Sequence, residues 1–329
     1  MDASKEQGKP EQAKPKFGAK KIISWAGTLL MLVSLGFIVR RFMNYGIDFS
    51  LLTSPLVVIG LFSVAFGEGL AMLTAALNFR ALVKNISGVV VERPLAMVVY
   101  LTSNLYKYIP GGVMYVAGRH RMVVETENLT HPKMVFATIT EGVLFVIGAL
   151  IVAVSLSLDH TMNYIRQLDV LPVIMLVLGI VLLAATVPLF IFRQKISAGL
   201  KKFWATVEIL RFPVLVKRLS YAILLMFLWG LTFLLTLMLL GQPVTIQLGS
   251  TIIGLYLLAW LAGFLAPGAP SGLGIREAVM MMFLTGLVYD DILLAALIIH
   301  RVVTMVGDVF AYFIGLIFVK FTKKGAAVL

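Results

Sequence analysis

Apolar positions in this chain fall into long blocks, with little of the alternation that amphipathic surface helices or half-buried strands show. The blocks run 22–39, 51–79, 95–105, 135–157, 170–192, 219–240, 251–266, 278–288 and 292–319. Most reach or exceed the roughly 18–25 residues that cross a hydrocarbon core as a helix, whereas 95–105, 251–266 and 278–288 are shorter. Polar residues are concentrated between the blocks, and the charged mid-block exceptions are Glu68 in the second block, Glu141 in the fourth, and Arg301 and Asp308 in the last. The pattern predicts an all-α polytopic membrane protein. Residues 1–21 are polar and Lys-rich with Pro10 and Pro15, and are expected to form a disordered basic cytoplasmic tail. The block at 22–39 is closed by Arg40-Arg41 with no small-x-small site after it, so it reads as a span and not as a cleaved signal.

Charge between the blocks orients them. Residues 193–218 carry seven basic side chains against Glu208 alone, and 80–93 and the segment after 319 are also basic, so all three read as cytoplasmic. Residues 241–249 carry no charge, 289–291 are acidic, and 159–169 hold two acids and Arg166, so these read as external. Both flanks of the stretch 94–123 are then internal, and both flanks of 251–288 external. Each stretch is expected to enter and return as a hairpin, the alternative being two short full crossings. The first is expected as half-helices 94–106 and 113–123 turning at Pro110, Gly111 and Gly112. The second is expected as half-helices 251–266 and 275–288 turning at Pro267, Gly268, Pro270, Gly272 and Gly274. Proline cannot continue a helix and glycine permits positive φ.

Pro110 and Pro267 lie 157 positions apart, as do Arg119 and Arg276. Long spans of opposite sense precede the two hairpins, the pattern of an inverted-topology repeat. The expected organisation is one transmembrane domain over 22–320. It holds a repeat at 51–157, a connector at 170–192, a cytoplasmic segment at 193–218, a second repeat at 219–319 and a cytoplasmic tail at 321–329. That makes six full spans plus two re-entrant helical hairpins, with both termini cytoplasmic in a cell inner membrane.

Composition narrows the chemistry. The chain is 60% hydrophobic and 13% charged, with mean hydropathy +0.98. It has no cysteine, which excludes disulfides, thiolate metal sites and a cysteine nucleophile. Its four histidines form no metal-binding spacing, so no metal or cofactor is expected. The net charge of +12 reads as inner-face anchoring and not as nucleic-acid binding. No Walker A pattern is present, which argues against direct ATP use. Broken helices at bilayer depth expose backbone groups that need protein or water partners, and half-helix N-termini attract anions. Ionisable side chains in the spans mark the site: Arg119, Arg276 and Arg301 as holders of an anionic headgroup, and Glu68, Glu141 and Glu277 as balancing charges or proton carriers. The alternative for each is a structural pair, such as Arg301 with Asp308. Lys107 and Arg121 read equally well as inner-face anchors.

The segment Tyr108-Ile109-Pro110-Gly111-Gly112, the TxTE pattern of Thr138 to Glu141, and above all Pro267-Gly268-Ala269-Pro270-Ser271-Gly272-Leu273-Gly274-Ile275-Arg276-Glu277 resemble the lysylphosphatidylglycerol synthase transmembrane (flippase-like) family over nearly all of residues 22–320. Its bifunctional members add a soluble aminoacyl-transferase domain, which these 329 residues do not contain. The resemblance therefore implies translocation without synthesis, of an anionic phospholipid or a lipid-linked glycan precursor. The expected partners are membrane lipids as substrate, with a homo-oligomer and envelope-lipid or glycan biosynthesis enzymes as further candidates. The alternatives are a secondary transporter of a small anionic solute and a membrane enzyme acting on lipid phosphates; the sequence holds no catalytic motif for the latter.

Overall fold

The computed structural model describes residues 53–108, 114–126, 128–167, 212–265 and 270–320. The expected span at 22–39, the connector at 170–192, the segment 193–211 and both tails lie outside the described residues, as do Pro110, Gly111, Gly112, Pro267 and Gly268. The described chain is helical, with no strand among the described residues: α1 (Pro55–Ser87), α2 (Arg93–Leu105), a 3-10 turn (Tyr106–Tyr108), α3 (Met114–Arg119), α4 (Arg121–Glu125), α5 (His131–Gln167), α6 (Phe212–Leu239), α7 (Ile246–Leu265), a second 3-10 turn (Pro270–Gly272), α8 (Ile275–Leu284) and α9 (Asp290–Lys320). Five of these helices, α1, α5, α6, α7 and α9, are long and apolar enough to cross a bilayer. The protein is an all-α polytopic membrane protein.

Local chemistry sets the helix ends. Pro55 opens α1, where its fixed φ suits the first turn and its missing N–H costs nothing. Gly88 closes α1 in the left-handed conformation (φ 74°), with its N–H bonded to the Lys84 carbonyl. Asp290 and Asp291 occupy the first turn of α9, where the helix dipole favours negative charge.

The hydropathy blocks mark the apolar part of each helix, and the helices run past it. α1 extends to Ser87 where apolarity ends near 79, and Arg80 ties its last turns to the Val91 carbonyl. α5 continues to Gln167, through residues expected to be external loop. The stretch expected as half-helix 113–123 forms two short helices, α3 and α4, joined at His120. The stretch expected as half-helix 251–266 is the 20-residue α7. At 1.5 Å per residue α7 is about 30 Å long, the length of a full crossing. The hydroxyls of Ser250 and Thr251 bond back to the Gln247 carbonyl and are satisfied within the helix. α2, with 13 residues, is too short to cross.

Both broken stretches fold back on themselves. A Cβ at Gly118 would stand 2.8 Å from the Tyr106 ring and 2.9 Å from Ser103, so α3 returns against the end of α2. A Cβ at Gly263 would meet the Arg276 side chain at 2.4 Å and Gly272 at 3.1 Å, so α8 starts against the end of α7. The Tyr106–Tyr108 and Pro270–Gly272 turns pack against each other.

The packing has a regularity that the chain order does not require. Exchange α1 with α6, α2 with α7, α3 with α8 and α5 with α9. Among the described helices, α4 aside, each closely packed pair then maps onto another closely packed pair, and α1–α6 maps onto itself: α1–α9 onto α6–α5, α2–α9 onto α7–α5, α1–α2 onto α6–α7, and α2–α3 onto α7–α8. The two long crossings are close in both halves. A Cβ at Gly307 of α9 would lie 2.7 Å from the Ala65 carbonyl of α1, and one at Gly148 of α5 would lie 3.0 Å from the Ala222 backbone of α6. Small residues at crossings are how helices associate in lipid, where burying apolar surface gains little. Gly307→Ala is accordingly expected to destabilise the protein by about 1–3 kcal/mol, because the obstacle is backbone and cannot rotate away. Thermal unfolding of purified protein in detergent checks this, with Gly67→Ala, where no atom lies within 4 Å of the added Cβ, as the neutral control.

Candidate functional site

The mid-span charges are arranged around the two fold-backs, and most are closed into pairs. Arg119, at the end of α3, donates from Nη1 to Glu141 Oε2 of α5 at 2.6 Å. Tyr100 of α2 donates its hydroxyl to Glu141 Oε1 at 2.9 Å. Arg119 is 4% exposed and stands over the rings of Phe79 (4.3 Å) and Tyr100 (4.4 Å). The rings compensate part of its lost hydration through cation–π attraction.

A second pair closes the other fold-back. Glu277 lies in the first turn of α8, accepts the Gly274 N–H at 2.7 Å and pairs with Arg301 Nε of α9. Arg301 Nη1 also donates to the Ser271 carbonyl at 3.1 Å, so this arginine holds the Pro270–Gly272 turn. The backbone there needs holding, since Gly272 and Gly274 sit at φ 68° and 84° and Ser271 at 51°. The two pairs occupy corresponding places, each joining a returning helix to the long helix after it, over 22 residues in the first half and 24 in the second. Their charges are swapped.

The third pair links the halves. Asp308 of α9 accepts from Lys107 Nζ at 2.7 Å, Asn104 Nδ2 at 2.8 Å and the Tyr108 hydroxyl. All three donors lie at or beside the Tyr106–Tyr108 turn. The structural alternative named for Arg301, pairing with Asp308, is thus corrected: Arg301 takes Glu277 and Asp308 takes Lys107. Lys107, whose side chain is 30% exposed, is paired with the buried Asp308.

Two charges remain outside these pairs. Arg276 of α8 has no carboxylate within ion-pair distance among the described residues. Its Nη2 donates to the Tyr256 hydroxyl at 2.5 Å and its guanidinium lies 5.1 Å from that ring. Tyr256 stacks on Phe233 and lies 3.3 Å from His300 Nε2, and His300 Nδ1 is 3.3 Å from the Thr236 hydroxyl, which donates to the Thr232 carbonyl. With Arg276 donating at one end, the chain orders as Tyr256 to His300 Nε2 and His300 Nδ1–H to Thr236. It positions Arg276 without neutralising it. Glu68 of α1 is the other. It is 6% exposed, lacks a hydrogen-bond partner at Oε2, and lies where the absent side chain of Gly307 leaves room.

The structure therefore gathers Arg276, Glu277, Arg301 and Glu68 around the second turn, and places Arg119 and Glu141 in their own buried box. Glu68 interacts electrostatically with Asp308, Lys107 and Arg276, whereas Arg119 interacts with Glu141, Tyr100 and Tyr115. Sequence reading missed Tyr256, His300, Tyr100 and Phe79. The usable signal was an aromatic before each arginine at near-equal spacing, Tyr100 before Arg119 and Tyr256 before Arg276. No group of three metal-ligating side chains occurs among the described residues. A cavity of about 340 Å³ lies elsewhere, between α5 and α7, lined by Ser155, Ser157, His160, Gln247, Ser250 and Thr251. No family model matches the chain, and no curated protein matches it.

Proposed function

We propose that the protein translocates an anionic lipid, a phospholipid or a lipid-linked glycan precursor, between the leaflets of a cell inner membrane, with the headgroup held at Arg276. The reading is carried by one observation: Arg276 is a half-buried guanidinium, oriented by Tyr256, with no carboxylate in ion-pair range among the described residues. A cation kept in an apolar region with no carboxylate in ion-pair range is costly and is commonly kept to bind an anion. A guanidinium also matches phosphate geometrically through its fork of donors. Arg301, whose Nη2 is buried without a partner, and Arg119, whose Nε is likewise without one, are secondary contacts that become available when their pairs with Glu277 and Glu141 loosen.

The exchangeable packing of the two halves supports an inverted-topology repeat. In such a repeat, rocking of one half against the other exposes a fixed site to alternate sides. The long apolar helices around the site offer acyl chains a continuous path through lipid. The resemblance of the Pro267–Glu277 segment to the flippase-like family fits this reading.

The test is reconstitution into liposomes with fluorophore-labelled phosphatidylglycerol, followed by chemical quenching of the outer leaflet. The expected result is loss of inner-leaflet label at a rate far above that of protein-free liposomes, and faster for the anionic lipid than for phosphatidylcholine. Rates equal to protein-free liposomes, together with uptake of a soluble organic anion, would favour a small-solute transporter.

A further inference from the structure

Four carboxylates lie mid-span among the described residues: Glu68, Glu141, Glu277 and Asp308. Three are within bonding distance of a cation, Glu141 of Arg119, Glu277 of Arg301 and Asp308 of Lys107. Glu68 has no cation within ion-pair distance, and its Oε2 has no hydrogen-bond donor. An ionised carboxylate held this way is poorly compensated, and it can bind either a metal cation or a proton.

The surroundings choose between them. Asp308 faces Glu68 from α9, Lys107 from the Tyr106–Tyr108 turn, Arg276 from α8, Tyr256 from α7, and the Thr232 hydroxyl of α6 lies beside it. A sodium ion needs about five or six oxygen ligands and no neighbouring positive charge. Here the nearby charged groups include a lysine and an arginine, and no cluster of acidic or histidine ligands exists among the described residues. A proton needs one oxygen.

We propose that Glu68 is an exchangeable proton site coupled to occupancy of Arg276. The inference rests on the translocation reading for its consequence, and on geometry for the site itself. Lys107 and Asp308, paired at 2.7 Å, largely offset each other at Glu68, so with the anion site empty it is the positive charge of Arg276 that favours the Glu68 carboxylate. When a phosphate neutralises Arg276, that support is lost and Glu68 takes up one proton, COO⁻ becoming COOH. Release of the anion reverses the step. By linkage, anion binding and protonation promote each other, and the pair moves as a symport of one proton with one negative headgroup charge.

Infrared spectroscopy of purified protein in phosphatidylcholine nanodiscs tests the site without relying on transport. A protonated-carboxyl C=O band is expected to grow when phosphatidylglycerol is added, and to be absent from Glu68→Gln under all conditions. Should Glu68→Gln fail to assemble, Glu68→Asp is expected to shift the band. A band that persists unshifted in either variant, or no band in wild type as the lipid is added, would overturn the proposal, as would a response to sodium in place of pH. A second arm imposes a pH gradient on the labelled liposomes. Wild type is expected to respond and Glu68→Gln to move lipid at a gradient-independent rate. A band that behaves as expected in a protein that moves no lipid would remove the translocation reading and leave the proton site standing.

Discussion

Arg276→Ala is expected to slow anionic-lipid translocation by about 10–100-fold, the loss of charge-assisted hydrogen bonds worth about 1.5–3 kcal/mol to a phosphate. The guanidinium forms no ion pair among the described residues, so its removal orphans no partner carboxylate and the protein should stay folded. Tyr256 loses a donor but keeps His300 and its stack on Phe233. Arg276→Lys is expected to fall between, since it keeps the charge and loses the fork. Phosphatidylcholine movement should change less than phosphatidylglycerol movement in both variants. An alanine variant of normal stability and unchanged selectivity would separate Arg276 from the headgroup.

Glu141→Ala is expected to cost about 3–5 kcal/mol of stability, the penalty for stranding a buried cation. Arg119 would remain at 4% exposure with rings for company and no counter-charge, and the Tyr100 hydroxyl would lose its acceptor. The double variant Arg119→Met/Glu141→Leu is expected to recover most of that loss, because two apolar side chains of similar volume replace a pair whose desolvation cost offsets its attraction. Unfolding in detergent, monitored by tryptophan fluorescence, reads both. If the double variant is as unstable as the single, or less stable, Arg119 has a role beyond pairing that the geometry does not supply.

The class of fold was legible because the bilayer imposes a length on apolar blocks: α5 and α9 contain the blocks that announced them, and α1 and α6 cover all but the end residues of theirs. Helix ends were not legible from the same signal, because a helix can outrun the hydrocarbon region; the polar turns of α1 after Phe79 and of α5 after Ser157 are cases of this. α7 shows the limit from the other side. Its apolar core is shorter than a span, and the more polar turn from Ile246 to Ser250 brings the helix to full length.

The site was legible as a list and not as an arrangement. Glu68, Glu141, Glu277, Arg119, Arg276 and Arg301 stood out because charge at bilayer depth is costly. Which of them cancel depends on helix crossings that single-chain spacing does not encode. Arg301 and Asp308 are seven residues apart on α9, about 10 Å along its axis and too far for a direct pair, and each takes its partner from another element. Lys107 is near a turn in sequence and found its partner only because α9 passes beside that turn.

The most direct measurement is the position of phosphate in a cryo-electron microscopy map of the protein in nanodiscs of phosphatidylglycerol. The account predicts headgroup density within hydrogen-bond reach of the Arg276 guanidinium, beside the contact between the Tyr106–Tyr108 and Pro270–Gly272 turns. A map in which Arg276 is paired to a carboxylate of the protein, with acyl chains alone around it, would contradict the account.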